Sequence, residues 1–91
     1  MKIDRSLYDS RKNGETDANL MIIFTDQEAA EAFSHEHFTQ IVSIPLGDDQ
    51  WCLGGTFRLE SLEDLEGEET ILKVYPDPEV HTMPVGGPIE F

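Results

Sequence analysis

The sequence contains one cysteine, few cationic residues and no long apolar segment. A single cysteine, Cys52, excludes a framework of disulfide bonds within the chain. No run approaches the length of about 18 apolar residues that indicates a membrane-spanning helix. The first residues, MKIDRSLYDSRKNG, lack the apolar segment and the small-residue cleavage site of a secretory signal. We therefore expect a cytoplasmic protein (in the host cytoplasm if a phage encodes it) that does not bind membranes.

Motifs for catalysis and cofactor binding are also missing. The glycine pairs Gly54-Gly55 and Gly86-Gly87 lack the spacing and the following helix of a phosphate-binding loop. No arrangement of serine, histidine and acidic residues is typical of a hydrolase. A strongly negative environment raises the pKa of a thiol such as Cys52 and so makes it less reactive. We expect neither an enzyme nor a bound cofactor.

One short cluster, His35-Glu36-His37, has side chains that bind metals in other proteins. On a helix, His35 and His37 point in different directions and cannot bind one ion together. On a strand they share a face, and His81 is then a third candidate ligand. We expect a helix C-terminus here, where histidine interacts favourably with the helix dipole, and no metal; a metal site is the alternative.

Acidic residues dominate the charge of the chain. Nineteen Asp and Glu residues stand against six Lys and Arg residues, which gives a formal net charge of −13. The first 12 residues hold four cations and two carboxylates, a net of +2, whereas residues 13–91 hold two cations and 17 carboxylates, a net of −15. Because carboxylates repel phosphates, this charge excludes direct binding to nucleic acid and to anionic membranes. It suits a partner protein with a basic surface.

The first half of the chain predicts a buried strand followed by a helix. Residues 20–24 form an apolar run of strand length, which indicates a central strand buried on both faces. Thr25 and Glu28 have the spacing of a capping box. This pattern predicts a helix that is capped by Thr25 and ends near His35 or Glu36.

Three further strands are predicted at residues 40–46, 51–59 and 70–75. Pro45 indicates the end of a strand or an edge position in the sheet. The pair Gly54-Gly55 indicates a bulge or a close approach of two backbones.

Leucines at a spacing of three, Leu59, Leu62 and Leu65, predict one or two helical turns before the last strand. Ser61 is the expected N-cap of this short helix, and Gly67 is expected just beyond its end.

The resulting order is strand, helix, strand, strand, short helix, strand. It predicts one small α+β domain with an antiparallel sheet of about four strands and one main helix, in the split order of ferredoxin-like domains. This core domain covers residues 20–75. Residues 1–19 form a polar, partly ordered head: either a flexible segment or a short first strand (residues 2–7) with a turn at Asn13-Gly14. Residues 76–91 form an extended, proline-rich tail.

The candidate partner-binding residues are two groups of carboxylates. They are Glu60, Glu63, Asp64, Glu66, Glu68 and Glu69, which fall within ten residues, and Asp48 and Asp49 at a predicted hairpin turn. On a helical turn Glu60, Glu63 and Asp64 share one face, so the first group can present an anionic ridge; a solvated acidic loop is the alternative. For the two aspartates the alternative is ordinary turn formation.

These features indicate an acidic inhibitor that occupies a basic, nucleic-acid-binding surface of a partner protein. Phage-encoded anti-restriction and anti-CRISPR proteins are often small and acidic, and the likeness is one of size and charge only. One alternative is an immunity or antitoxin-like protein that neutralises a basic nuclease or toxin. Another is a housekeeping acidic domain with incidental charge, and a homodimer formed through strand edges belongs to this class. The sequence leaves the oligomeric state open.

Overall fold

The computed structural model describes residues 2–47 and 49–77. Within these residues four strands form one sheet, accompanied by three short helices and a 3₁₀ turn. In chain order the elements are α1 Arg5–Lys12, β1 Asp17–Phe24, α2 Gln27–Ala32, β2 Phe38–Leu46, β3 Gln50–Arg58, the 3₁₀ turn Leu59–Ser61, α3 Leu62–Glu66 and β4 Ile71–Pro76. The tail expected at residues 76–91 lies, from residue 78 onward, outside the described residues.

The sheet has the order β2-β3-β1-β4, and each neighbouring pair is antiparallel. β1 and β2, which α2 connects, therefore run parallel to each other with β3 between them. The 3₁₀ turn and α3 carry the chain from β3 to β4 on the far side of β1. This arrangement confirms the predicted α+β class and the split order of four antiparallel strands.

The N-terminal residues form a helix, so the interpretation of residues 2–7 as a strand is wrong. Ile3 makes a single parallel bridge to Val74, and α1 begins two residues later. Asp4 is the N-cap of α1, because its carboxylate accepts a hydrogen bond from the amide of Ser6 at 3.1 Å. This cap gives a partner to an amide of the first helical turn that the helix itself cannot pair, and it favours a helix from Arg5 onward.

Helix α1 packs into the same core as the sheet. Leu7 is its buried residue, at 1% exposure. Arg11 and Lys12 lie in its last turn, where positive charge interacts favourably with the helix dipole. The turn predicted after it is confirmed: Gly14 has a φ of 98°, a conformation that favours glycine.

Helix α2 begins one residue later than predicted. Its N-cap is Asp26, whose carboxylate accepts a hydrogen bond from the amide of Ala29 at 2.8 Å. The predicted capping box of Thr25 and Glu28 is therefore wrong. Asp is preferred over Thr at the N-cap, which explains why the helix starts from the second of two adjacent candidates.

An aromatic cluster sets the end of α2. Phe33 leaves the helical conformation, with φ −70° and ψ 133°. Its ring packs against Phe24 of β1 and Phe38 of β2, at centroid distances of 5.3 and 5.6 Å, within the range of favourable aromatic pairs. The prediction that the helix reaches His35 or Glu36 is wrong, because both residues lie in the loop before β2.

One core lies between the sheet and the helices. Its buried residues are Ile3, Leu7, Leu20, Ile22, Phe24, Ala30, Leu53, Phe57, Leu59, Leu62, Leu65, Ile71 and Val74. Alternate residues of β1 face this core, and Ile23 on the opposite face is only 8% exposed. β1 is thus buried on both faces at its C-terminal end, whereas Met21 on the outer face is only partly buried.

Strands β2 and β3 approach each other closely at Gly55. A Cβ atom at this position would lie 2.1 Å from the carbonyl oxygen of Thr39. The pairing register shifts between Gln40 and Val42, so the intervening Ile41 has no partner in β3. These observations confirm the close approach at the glycine pair. The bulge lies on the partner strand, because the extra residue belongs to β2.

Candidate acidic binding surface

Buried leucines fix the direction of the acidic segment after β3. Leu59, Leu62 and Leu65 are each 0% exposed, as their spacing predicts. Their burial turns the intervening carboxylates outward from the 3₁₀ turn and α3. Three of these carboxylates, Glu63, Asp64 and Glu66, then meet groups from other parts of the chain. Glu60 pairs locally with Arg58.

Glu63 forms a bidentate ion pair with Arg11 of α1. Both nitrogen–oxygen distances are 2.9 Å. Nη1 of Arg11 also donates to the carbonyl oxygen of Leu59 at 3.3 Å, and the guanidinium carbon lies 5.1 Å from the centre of the Tyr8 ring. Hydrogen bonds from Arg11 hold the pKa of the Glu63 carboxyl below its usual value. The basic helix therefore offsets part of the negative charge of the acidic segment.

Glu66 is joined to the same N-terminal region. Its carboxylate accepts hydrogen bonds from the backbone amide of Lys2 at 2.9 Å and from the hydroxyl of Tyr8 at 3.3 Å. Burial, followed by the charge and hydrogen bond of Glu66, raises the pKa of Tyr8. The ammonium group of Lys2 donates to the carbonyl oxygen of Glu68. Glu66 thus holds the start of the chain against α3.

Asp64 and Ser61 contact the two histidines. Oδ2 of Asp64 lies 2.9 Å from Nε2 of His35, and Oγ of Ser61 lies 2.8 Å from Nδ1 of His37. Ser61 does occupy the N-cap position of α3, but its hydroxyl makes no capping hydrogen bond there. The His35 ring also packs on Phe57, at a centroid distance of 5.1 Å.

The histidines lie in the loop between α2 and β2, so the helix C-terminus predicted for them is wrong. Their rings are 5.5 Å apart. In residues 2–47 and 49–77, no three His, Cys, Asp or Glu side chains are arranged to hold a metal ion. His81, the third candidate ligand, lies outside the described residues.

The acidic segment is divided by these contacts. Glu60 pairs with Arg58 at 3.2 Å, so the four carboxylates from 60 to 66 all have partners. Glu68 and Glu69 are exposed, and neither carboxylate forms an ion pair within the described part of the chain. The sequence does not reveal this division, because it does not show where the cations of α1 are placed.

A different group of carboxylates gathers at one end of the sheet. β1 ends there at Phe24, which pairs with Trp51 of β3 and Ile71 of β4. The start of α2, the β2–β3 hairpin and the turn before β4 all reach this end, and each carries acidic residues. We call this group the acidic end; its members are Asp26, Glu28, Asp49, Glu68 and Glu69.

Contacts between backbone segments hold the acidic end together. The amide of Thr25 donates to the carbonyl oxygen of Thr70 at 3.0 Å, which joins the start of α2 to the turn before β4. A shallow cavity is lined by Thr25, Asp49 and Leu72, and a second is lined by Glu68 together with residues of α2. The start of α2 and the turn before β4 are therefore in direct contact, and the hairpin lies beside the start of α2 across the first cavity.

The carboxylates of the acidic end are all exposed, and none of them forms an ion pair in the described residues. Asp26 also caps α2, and Glu28 lies in its first turn, where negative charge is favourable. Glu28 was predicted only as part of a capping box, and neither it nor Asp26 was predicted as a binding residue. Both residues closely follow the apolar run of β1, and this position could have placed them at the end of the sheet. Asp48, the other predicted hairpin carboxylate, lies outside the described residues.

Comparisons with known proteins add no candidate function. No protein family model, no curated protein and no solved structure matches the chain. Among the described residues, no helix has the length and apolar character needed to cross a membrane. The proposed function therefore rests on the charge, exposure and placement of the acidic end.

Proposed function

We propose that the protein is an inhibitor that places its carboxylates on a basic, nucleic-acid-binding surface of a partner protein, where they stand in for phosphates. The acidic end supports this proposal. Five exposed carboxylates from three chain segments lie at one end of the sheet, without an ion pair in the described residues. Like charges held together repel one another and weaken the fold. A basic partner surface removes that repulsion on binding.

The carboxylates of the 3₁₀ turn and α3 contribute less to the proposed binding. Glu60 and Glu63 are still 62% and 64% exposed, but each already has an arginine partner. A basic surface gains less from a carboxylate whose charge is already offset. We therefore place the main contact at Asp49, Glu68 and Glu69, with the segment from residue 60 to residue 66 as its flank.

The partner is a nucleic-acid-handling protein with a basic groove, such as a nuclease. Attraction between the acidic end and this groove speeds the encounter and weakens as salt is added. An inhibitor of a host defence enzyme and an immunity protein for a toxic nuclease would use the same surface. The identity of the captured partner separates these two cases.

The test is capture from a bacterial lysate by the immobilised full chain, with elution in a salt gradient. The informative variant is Asp49→Asn, Glu68→Gln and Glu69→Gln together. The matched control removes three carboxylates at exposed positions elsewhere, by Asp9→Asn, Glu15→Gln and Asp17→Asn.

The proposal predicts that one nucleic-acid-handling protein elutes sharply at raised salt and that added duplex DNA competes for it. The acidic-end variant releases this protein at lower salt than the control variant does, although both have the same net charge. If no protein is retained at low salt, or if both variants behave alike, the acidic end is not the binding site. In the first case a housekeeping domain with incidental charge is the better account.

A further inference from the structure

The two edges of the sheet differ in their backbone pairing. The outer edge of β4 is covered at its centre by the start of the chain. The amide of Asp4 donates to the carbonyl oxygen of Val74 at 2.9 Å, and the amide of Val74 donates to the carbonyl oxygen of Lys2 at 3.0 Å. β2 is the other edge strand, and no described residue pairs with its outer side.

This outer side of β2 is also without charge and carries exposed apolar residues. β2 has the sequence FTQIVSIPL, without a single charged residue. Ile41, Val42 and Ile44 are 54%, 40% and 45% exposed. Edge strands are usually protected from pairing by charged side chains, by proline or by a bulge. Here Pro45, in the edge strand as the sequence predicts, and the bulge at Ile41 are present, whereas charge is absent.

We propose that β2 pairs with β2 of a second copy of the chain, antiparallel and about a two-fold axis, to form a continuous eight-stranded sheet. An antiparallel edge is self-complementary about such an axis. A pairing centred on Ser43 places Val42 of each copy opposite Ile44 of the other. This region lies between the bulge and Pro45, so its backbone groups retain both donors and acceptors.

Side-chain direction supports this pairing. Ser43 pairs with Leu53 of the core, whereas Val42 and Ile44 pair with Gly54 and Cys52. Because successive residues of a strand alternate between faces, Val42 and Ile44 lie on the sheet face that points away from the helices. Four exposed apolar side chains, two from each copy, would meet there and leave solvent.

The self-complementary pairing of Val42 with Ile44 favours a second copy as the occupant, and the absence of charge on β2 permits its approach. Two chains that each carry −13 repel one another wherever their carboxylates meet. β2 offers a copy a short contact, from Val42 to Ile44, without a carboxylate. A basic partner would instead be drawn to the acidic end. The dimer therefore does not depend on the proposed function, and its salt dependence has the opposite sign: screening of the repulsion strengthens it.

The test is sedimentation velocity of the full chain over a range of protein concentrations, at low and at raised salt. The informative variant is Ile44→Lys, because an edge lysine opposes strand pairing. The control is Leu72→Lys, at an exposed position of β4 (38%), which changes the net charge equally. Ile44→Thr is a milder second variant that keeps a β-branched side chain, and circular dichroism checks that each variant is folded.

We expect a dimer that dissociates on dilution and is favoured by salt. Ile44→Lys should weaken it by about tenfold or more, Ile44→Thr by less, and Leu72→Lys not at all. A monomer at all concentrations and salt levels would overturn the proposal. So would a dimer that Ile44→Lys and Ile44→Thr leave intact while both variants remain folded, since the interface would then lie elsewhere.

Discussion

Arg11 of α1 and Glu63 of α3 form a bidentate ion pair across 52 residues of the chain, with both nitrogen–oxygen distances at 2.9 Å. The pair joins the basic head of the sequence to its most acidic segment. Together with the hydrogen bonds from Lys2 and Tyr8 to Glu66, it explains how several neighbouring carboxylates are tolerated in one short helix. The five carboxylates of the acidic end have no such ion pair in the described residues.

This ion pair predicts a pH-dependent contribution to stability. The pKa of Glu63 is lowered in the folded protein by hydrogen bonds from Arg11, so its contribution is present above the unfolded pKa and is lost as the pH falls through the folded one. Arg11→Met should therefore lower the free energy of unfolding more at about pH 7 than at about pH 2.5. Urea denaturation at the two pH values measures this difference. Arg5→Met, at an exposed position of the same helix, is the control, and an equal effect of both variants would contradict the prediction.

Substitution of glycine by alanine should have opposite effects on stability at Gly55, where β2 and β3 approach closely, and at Gly67. Gly55→Ala places a Cβ 2.1 Å from the carbonyl oxygen of Thr39, so it should destabilise the protein by about 1–3 kcal/mol. Gly67→Ala meets only ordinary contact, 3.8 Å from the carbonyl oxygen of Glu63, and should stabilise by about 0.4–1 kcal/mol through the unfolded state. Thermal or urea unfolding measures both. Equal effects would show that the strands are not this close.

The leucines beneath the acidic segment should contribute strongly to stability. Leu65 is 0% exposed, so Leu65→Ala should cost about 2–5 kcal/mol by leaving a cavity. Leu72 is 38% exposed, and Leu72→Ala should cost about 1 kcal/mol or less. Urea denaturation measures the loss of unfolding free energy for both variants, each of which removes a leucine side chain. A small loss at Leu65 would mean that α3 does not pack on the sheet as described.

Cys52 should be unreactive in the native protein. It is fully buried, and burial, followed by the charge of Asp77, raises the pKa of its thiol. A thiol reagent at neutral pH should modify it only as fast as the protein opens, whereas the chain in denaturant should react at once. With an aromatic disulfide as the reagent, the absorbance of the thiolate that it releases follows both reactions. Rapid modification without denaturant would show that β3 is accessible from solvent.

Much of the fold follows from patterns that one segment contains by itself. The apolar run of β1, the spacing of Leu59, Leu62 and Leu65, and the glycine pair in β3 each predict an element that the structure confirms. The errors arise where two local signals compete or where packing between elements decides. Thr25 and Asp26 are adjacent candidates for one N-cap. Phe33 leaves α2 to pack against Phe24 and Phe38 of two strands, a contact that the helical pattern of the sequence does not show.

The candidate site was harder to predict because it depends on which charges meet. The density of carboxylates from residue 60 to residue 69 is visible in the sequence, but their partners Lys2 and Arg11 come from the opposite end of the chain. The acidic end is assembled from three segments that only the sheet brings together. The pattern of apolar residues in the sequence predicts the strands of the sheet. No such pattern shows which charged side chains meet on its surface.

The most direct test of the central claim is whether this protein and DNA exclude each other on the captured partner. The partner is immobilised and saturated with the protein, and duplex DNA is then added while both ligands are measured. We predict that DNA displaces the protein, and that the variant Asp49→Asn, Glu68→Gln, Glu69→Gln is displaced at lower DNA concentration than the control Asp9→Asn, Glu15→Gln, Asp17→Asn. Simultaneous binding of DNA and the protein to one partner molecule would contradict the account, because the carboxylates would not then occupy the place of phosphates.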